Sequence, residues 1–297
     1  MAKTLPFTGA GVAIITPFDG NKTNYDELGR IIEDQIAGGT DAIIICGTTG
    51  EASTMPDKEH LAAIEYTVKQ VNGRIPVIAG TGSNETAHAI ELSKKAEELG
   101  ADGILSVTPY YNKASQKGLV AHFTAIANAI SIPVILYNVP SRTGVSISID
   151  ALKELAKIEN IVAIKEASGN ISYTAKVAAE VPELYIYSGN DDMIVPILSL
   201  GGKGVISVLS NVMPKEAHDI CALYFEGKVD ESRDLQLKLL DLINKLFIEV
   251  NPIPVKTAMN MMGYNAGNLR LPLCDMDEKN KAALKEAMIN AGIKLAE

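Results

Sequence analysis

A lysine stands at a point where an apolar strand is expected to continue. The segment "IVAIKEASG", residues 161–169, opens with four apolar residues and then places Lys165 where the pattern predicts another Val or Ile. Lysine is seldom fully buried without a partner. Burial disfavours the charged ammonium, and a neutral amine is a nucleophile that forms a Schiff base with a carbonyl compound. The pattern therefore fits either carbonyl chemistry at Lys165 or a buried ion pair with Glu166 or Glu51.

Strand parity argues against Glu166 as the partner. Adjacent strand residues point to opposite faces, so Lys165 is expected to share an inward face with Ile161, Ala163 and Ala167. A lysine on that face would be kept away from water, which lowers its pKa towards the range of catalytic amines.

Tyr137 lies near the end of the preceding apolar run and shares its parity with Ile135 and Val139. A tyrosine hydroxyl in this place could give and take protons while an imine forms and breaks. The alternative is a tyrosine that only lines the interior and bonds to backbone.

The sequence predicts no metal centre. The four histidines, His60, His88, His122 and His218, are scattered and lack the H-x-x-H or H-x-E spacing of a metal site. Asp191 and Asp192 could hold a cation, but acidic residues that open a helix are equally well explained by its dipole.

The elements that position these residues are eight short runs rich in Val, Ile and Ala. They cover residues 11–18, 41–47, 75–80, 101–108, 132–139, 161–167, 184–189 and 204–210. Such runs, apolar on both faces, are typical of parallel strands covered by helices, and helical patterns alternate with them. The alternation predicts an α/β fold, a closed (β/α)8 TIM barrel over residues 1–226. An open doubly wound sheet is the rival, but "TPFDGNKTN" after the first run lacks the expected G-x-G-x-x-G.

After residue 226 the alternation stops. The segments 231–250, 254–264 and 277–297 read as helices with no strand between them. We therefore expect residues 227–297 to form a small C-terminal helical appendage on the barrel.

The overall composition limits the kinds of binding partner and the cellular compartment that we expect for this protein. The formal charge is −9, from 27 basic and 36 acidic residues, and no basic cluster suggests nucleic acid. Three cysteines without C-x-x-C spacing, and an N-terminal segment without a continuous apolar region, predict a cytoplasmic protein without disulfides. The sequence contains no run of about 18 apolar residues, so it predicts no membrane span.

Polar residues gather at the carboxyl ends of the predicted strands, where barrels build their active sites. They are Thr48, Thr49, Tyr110, Tyr111, Tyr137, Arg142, Lys165, residues 188–192 and Ser207. Four motifs among these ends resemble the dihydrodipicolinate synthase family of pyruvate-dependent class I aldolases. The motifs are "GTTGE" (47–51), "YNVPSRTG" (137–144), "IKEASG" (164–169) and "GVIS" (204–207). The similarity extends to "TPYYNKASQ" (108–116) and "NPIPVK" (251–256) and covers nearly the whole chain.

The resemblance implies an aldol addition of pyruvate to L-aspartate 4-semialdehyde, followed by ring closure, with no cofactor. It implies that Lys165 forms the imine with pyruvate and that Tyr137 relays protons. Thr48 would link Tyr137 to Tyr111, which reaches in from a neighbouring subunit of a homotetramer. Four further residues would bind substrate. Thr49 would bind the pyruvate carboxylate, and Arg142 would bind the carboxylate of the aldehyde substrate. Gly189 and Ile206 would contact the substrates through their backbone atoms.

Other readings stay open at this stage. The sialic acid lyase branch resembles this chain at the lysine and tyrosine, but it usually lacks the "SR" and "GTT" found here. A third possibility is a barrel that binds a keto acid as a sensor without converting it. The presence of the complete set of Lys165, Tyr137, Thr48 and Arg142 argues against this possibility. Arg142 alone could also be a solvated loop charge.

The resemblance also points to an effector site for L-lysine. The corresponding residues here are Ala52, Ser53, Asp57, His60, Asn84, His88 and Tyr110. Asp57 stands where a histidine is frequent, and His88 stands where a glutamate would hold the amine of the ligand. Because a charge partner for an ammonium is lost at His88, we expect weak or absent inhibition by lysine. The alternative is ordinary surface at a subunit contact.

Overall fold

A computed structural model describes residues 3–296. Eight parallel strands form a closed barrel, as predicted. They are β1 (Gly9–Ala13), β2 (Ala42–Ile45), β3 (Val77–Gly80), β4 (Gly103–Val107), β5 (Val134–Asn138), β6 (Ile161–Glu166), β7 (Tyr185–Ser188) and β8 (Gly204–Ser207). Each strand pairs with the next along the chain, and β8 closes the barrel by pairing Gly204 with Gly9 of β1. A Cβ on Gly204 would lie 1.8 Å from the Gly9 carbonyl oxygen, so only glycine permits this approach.

The first predicted strand has the wrong bounds. Strand β1 ends at Ala13, whereas the predicted run extended over 11–18. Residues 14–16 are buried without being strand, and Phe18–Asp19 pairs with Lys22–Thr23 in a short antiparallel hairpin. Apolar composition alone does not separate a buried loop from a strand.

Helices cover the outside of the barrel. They are α1 (Tyr25–Ala37), α2 (Asp57–Val71), α3 (Thr86–Glu98), α4 (Gln116–Ala127), α5 (Pro140–Thr143), α6 (Ile149–Leu155), α7 (Ile171–Glu180), α8 (Ile194–Ser199) and α9 (Pro214–Phe225). Short 3₁₀ turns occupy Ala52–Thr54, Asp191–Met193 and Leu209–Asn211. Helix starts are stabilised by side-chain caps such as Ser115, whose hydroxyl accepts the Gly118 N–H.

The C-terminal part of the chain is helical, as predicted. It contains α10 (Val229–Lys238), α11 (Leu240–Lys245), α12 (Ile253–Met261) and α13 (Glu278–Asn290). A bridge between Phe18 and Gly267 joins this region to the loop after β1. The third predicted helix, 277–297, has the wrong end, since α13 stops at Asn290 and residues 291–296 are not helical. Residue 297 lies outside the described residues, and the division into two domains stays a prediction.

Two apolar layers result from this arrangement. The outer layer lies between strands and helices, and the interior layer fills the barrel with side chains such as Ile44, Leu105, Ile135 and Ile206. Among residues 3–296, no helix combines the length and apolarity needed to cross a membrane.

Candidate active site

Lys165 and Tyr137 are neighbours across two strands. Strands β5 and β6 pair Tyr137 with Lys165, and both side chains face the barrel interior. The Lys165 Nζ lies 4.4 Å from the centroid of the Tyr137 ring. The predicted inward direction of Lys165 therefore matches the structure, and it places the amine beside a phenol.

The parity argument was wrong for one residue. The register between β5 and β6 shifts at the start of β6, so that Val134 pairs with Ile161 but Ile135 pairs with Ala163. The extra residue, Val162, forms a bulge, and Ile161 consequently packs in the outer layer. A bulge interrupts the two-residue period that the sequence argument relied on.

The ion-pair alternative for Lys165 fails because both proposed partners are engaged elsewhere. Glu166 accepts hydrogen bonds from the Asn138 side chain and the Ser168 N–H, both at 2.7 Å. Glu51 pairs with Lys256 at 2.7 Å. Within residues 3–296, no carboxylate oxygen lies within 4.0 Å of the Lys165 amine. Lys165 is thus buried, at 7% exposure, and no carboxylate of the described residues pairs with it directly.

Burial is the main influence on this amine. Desolvation lowers the pKa of Lys165 from 10.5 to about 7, the Asp191 carboxylate opposes this shift, and Arg142 adds to it. Asp191 is itself buried and accepts the N–H groups of Val208 and Leu209. At neutral pH a large share of Lys165 is therefore neutral and nucleophilic.

Tyr137 has the environment of a proton carrier. Burial raises the pKa of its hydroxyl, while Arg142 and a hydrogen bond with Thr48 lower it. The phenol is consequently protonated at neutral pH and can both donate and accept a hydrogen bond. Thr48 is thus close enough to influence the Tyr137 hydroxyl, and its role as a link to Tyr111 stays a prediction.

The "GTTGE" loop presents its two threonines differently. Thr48 is exposed in the single chain, whereas Thr49 is buried. The Thr49 hydroxyl oxygen accepts a hydrogen bond of 3.0 Å from the Asn251 amide. Since the oxygen is an acceptor there, the Thr49 hydroxyl proton is free for another partner, such as a carboxylate.

Arg142 lies on α5, the short helix that follows β5. One guanidinium nitrogen donates to the Asn251 carbonyl oxygen at 3.0 Å. This contact fixes one edge of the guanidinium and leaves its other N–H groups available to bind a carboxylate. Arg142 is exposed, so it stands at the rim of the site.

The catalytic candidates share one cavity of about 650 Å³ at the carboxyl ends of the strands. Thr48, Thr49, Tyr137, Arg142, Lys165 and Gly189 all line it. At Gly189 a side chain would meet Lys165 Cε at 3.0 Å, so glycine leaves the room around the amine.

Two predicted site residues are not brought into this cavity. Ile206 packs in the interior layer and is not among the lining residues. Tyr111 is 91% exposed and also does not line the cavity. Its φ of 72° is unusual for a residue with a side chain, and such strain is frequent at functional positions.

Most predicted effector residues line the same cavity: Ala52, Ser53, Asp57, His60, His88 and Tyr110. Asn84 does not line it but donates to the Tyr110 carbonyl at 3.2 Å. His88 Nε2 lies 3.1 Å from the Asp57 carboxylate, so a carboxylate is present at this rim, already engaged by the histidine. Burial lowers the pKa of His60, whose Nε2 donates to the Gly80 carbonyl at 2.8 Å.

Sequence reasoning missed Asn251. This residue contacts both Thr49 and Arg142 and lines the cavity, although it belongs to the C-terminal region. The motif "NPIPVK" is part of the family resemblance, but nothing in its pattern indicates a contact with Thr49, about 200 residues earlier in the chain.

Comparison with known proteins agrees with this geometry. A model of the "Dihydrodipicolinate synthetase family" matches residues 6–291. The chain is 62% identical to 4-hydroxy-tetrahydrodipicolinate synthase of Acetivibrio thermocellus, covering 97% of this chain and 98% of the relative. It resembles the crystal structure of dihydrodipicolinate synthase from Aquifex aeolicus, with a TM-score of 0.96, 45% identity and coverage of 98% and 100%. A structure described as the first monomeric dihydrodipicolinate synthase variant is also similar, with a TM-score of 0.95, 40% identity and coverage of 97% and 98%. The chain belongs to the dihydrodipicolinate synthetase family.

Proposed function

We propose that the protein is a lyase of the class I aldolase type that condenses pyruvate with L-aspartate 4-semialdehyde. The product is 4-hydroxy-tetrahydrodipicolinate, an intermediate of lysine and diaminopimelate biosynthesis. The observation that carries the proposal is the Lys165 amine, which is buried, pairs with no carboxylate in the described part of the chain and has a pKa lowered to about 7. The name of the Acetivibrio relative supports the same reaction.

The first step joins pyruvate to Lys165. Thr49 holds the pyruvate carboxylate through its free hydroxyl proton, while the neutral amine attacks the ketone carbon. The C–O bond of the resulting carbinolamine then breaks, and its oxygen leaves as water after receiving a proton. Tyr137, protonated and beside the amine, is placed to supply that proton.

The second step forms the new carbon–carbon bond. Loss of a proton from the pyruvate methyl group turns the iminium into an enamine, with Lys165 nitrogen as the electron sink. The enamine carbon attacks the aldehyde carbon of the second substrate, whose oxygen takes up a proton. Arg142 binds the carboxylate of this substrate at the rim, because a guanidinium matches a carboxylate in shape and charge.

The last step releases the enzyme. The amino group of the former aspartate semialdehyde attacks the iminium carbon and closes the ring, which breaks the bond to Lys165. The displaced lysine nitrogen leaves as an amine, ready for another turnover. Tyr137 again serves as the proton carrier, connected to Thr48.

We further propose that Tyr111 completes the relay in a second copy of the chain. Its exposure of 91%, together with the exposed Thr48, supports a contact made between subunits. We extend this to a homotetramer in the cytoplasm. The similarity to a structure described as monomeric makes the assembly a point for direct measurement.

The proposed roles of Gly189 and Ile206 are backbone contacts to the bound substrates. For the effector group we propose weak inhibition by L-lysine. The support is that the Asp57 carboxylate is already bonded to His88, so an incoming ammonium would have to displace that contact.

The test is a two-substrate assay. Pyruvate is combined with either L-aspartate 4-semialdehyde or N-acetylmannosamine, and the products are identified by mass spectrometry. The proposal expects turnover with the semialdehyde and at most trace turnover with the sugar. Preferential use of N-acetylmannosamine would assign the chain to sugar-acid chemistry instead, and no turnover with either would leave only a binding role.

A further inference from the structure

A charged pair lies fully buried beneath the "GTTGE" loop. Lys256 Nζ donates to Glu51 Oε1 at 2.7 Å, and both side chains are only 1% exposed. Lys256 also donates to the Asn268 carbonyl oxygen at 2.8 Å and lies 4.2 Å from the centroid of the Phe18 ring. The second Glu51 oxygen accepts the Arg270 N–H at 3.0 Å. Lys256, the last residue of "NPIPVK", is thus anchored to the last residue of "GTTGE".

Glu51 is part of the turn that carries the two threonines. Its N–H donates to the Thr48 carbonyl at 3.1 Å, and the Gly50 N–H donates to Gly47 at 3.1 Å. Glu51 has a φ of 55°, a left-handed conformation that costs free energy for a residue with a side chain. The carboxylate of this residue is bonded on both oxygens, to the Lys256 amine and the Arg270 N–H.

A role in stability alone does not account for the pair. Taking two charges out of water is costly, and a buried ion pair is often no more stabilising than apolar side chains of the same size. A matched site lies nearby: Arg270 binds Glu59 on α2 with two hydrogen bonds of 2.7 and 2.8 Å. That pair also joins the C-terminal region to the barrel; the Glu59 carboxylate bonds to Arg270 and Thr23 and not to residues 47–51, whereas the backbone N–H of Arg270 donates to Glu51.

We infer that Glu51 and Lys256 are positioning residues, which hold the loop so that Thr48 and Thr49 meet the reacting groups. The inference rests on the proposed function, since it concerns the pyruvate end of that site. Asn251 holds the same loop from the cavity side through Thr49, so the loop is fixed from two directions by the C-terminal region. The C-terminal region is then part of the catalytic unit, although its helices lie outside the barrel.

The experiment uses the full chain carrying Glu51→Gln together with Lys256→Met. The double change removes both charges at similar volume, so that no unpaired charge is left buried. The matched control is Glu59→Gln, which breaks the neighbouring pair. Pyruvate-dependent borohydride trapping counts the competent sites, and steady-state constants are then expressed per competent site.

The inference predicts that the double variant folds but loses roughly ten-fold or more in kcat/KM for pyruvate per site, because small misplacements of binding groups have large effects. The KM for the aldehyde, which depends on Arg142, should stay within about two-fold. Glu59→Gln should lower thermal stability and leave the constants per site unchanged. The variant Lys256→Arg, which keeps the charge, should retain more of the pyruvate kcat/KM than the double variant.

A folded double variant with wild-type kinetic constants per site would overturn the inference. A double variant that does not fold would also overturn it, because the pair would then be needed for folding. Equal losses for pyruvate and the aldehyde would also overturn it. Failure of the wild-type chain in the same assay would remove the proposed function and the inference together. If the wild-type chain is active and the double variant is equally active, the inference is wrong but the proposed function stands.

Discussion

Replacement of Lys165 by methionine is expected to stabilise the protein while abolishing its activity. The unfolded chain carries lysine with a pKa of 10.5, whereas burial lowers the pKa of Lys165 in the folded protein to about 7. Between these values the unfolded state binds more protons than the folded state. The wild-type chain therefore becomes more stable as pH rises through this window, and the penalty is largest below it.

The magnitude follows from the two pKa values. At about 1.36 kcal/mol per pKa unit, the full penalty is roughly 5 kcal/mol, reached well below pH 7. Linkage reduces it to about 4 kcal/mol at pH 7, about 2 kcal/mol at pH 9 and near zero above pH 10.5. Lys165→Met has no titrating amine and escapes the penalty. Its stability advantage over the wild type should thus fall by about 2 kcal/mol between pH 7 and pH 9.

The assay is urea unfolding of both proteins at the two pH values, followed by circular dichroism. The change in the difference between them is the diagnostic quantity, because the packing gain of methionine does not depend on pH. The matched control is Lys176→Met at an exposed lysine on α7, measured at the same two pH values as the reference for Lys165→Met. An advantage for Lys165→Met that stays constant, or grows, from pH 7 to pH 9 would refute the lowered pKa.

Three further predictions concern individual residues and the effector site. Tyr111→Phe should lower kcat at least about ten-fold, because a relay hydroxyl is lost, as measured in the coupled two-substrate assay; near-normal kcat would make Tyr111 a packing residue. Arg142→Ala should raise the KM for the aldehyde substrate much more than the KM for pyruvate, because the guanidinium that binds the carboxylate of the aldehyde substrate is lost. Equal changes in the two KM values would show that Arg142 has another role. L-lysine should inhibit weakly or not at all in steady-state kinetics, and an inhibition constant below about 1 mM, an affinity of some 4 kcal/mol, would contradict this expectation.

Much of the barrel could be predicted because strand and helix patterns alternate regularly. Each predicted run overlaps a strand of the structure, and the inward direction of Lys165 and Tyr137 is confirmed. The bounds of the first strand were wrong, because residues 14–16 are buried in a loop and look like strand in composition. The inward direction of Ile161 was wrong because of the bulge at Val162.

The polar contacts of the site were harder to predict. The sequence allows Glu51 as a partner of Lys165, but the structure pairs Glu51 with Lys256, about 200 residues further along the chain. Asn251 reaches Thr49 over a similar separation. Such contacts depend on how the C-terminal helices pack on the barrel, which residue periodicity does not encode. The contact of Tyr111 with Thr48, which we propose to lie between two copies of the chain, is not specified by any pattern within one chain.

The central claim is that the Lys165 amine forms a covalent imine with pyruvate. The most direct measurement is borohydride reduction of the protein in the presence of pyruvate, followed by peptide mass spectrometry. We predict that the peptide carrying Lys165 gains the mass of one reduced pyruvyl group and that activity is lost in proportion. An unmodified Lys165 peptide under conditions of full turnover, or a label on another lysine such as Lys256, would contradict the account.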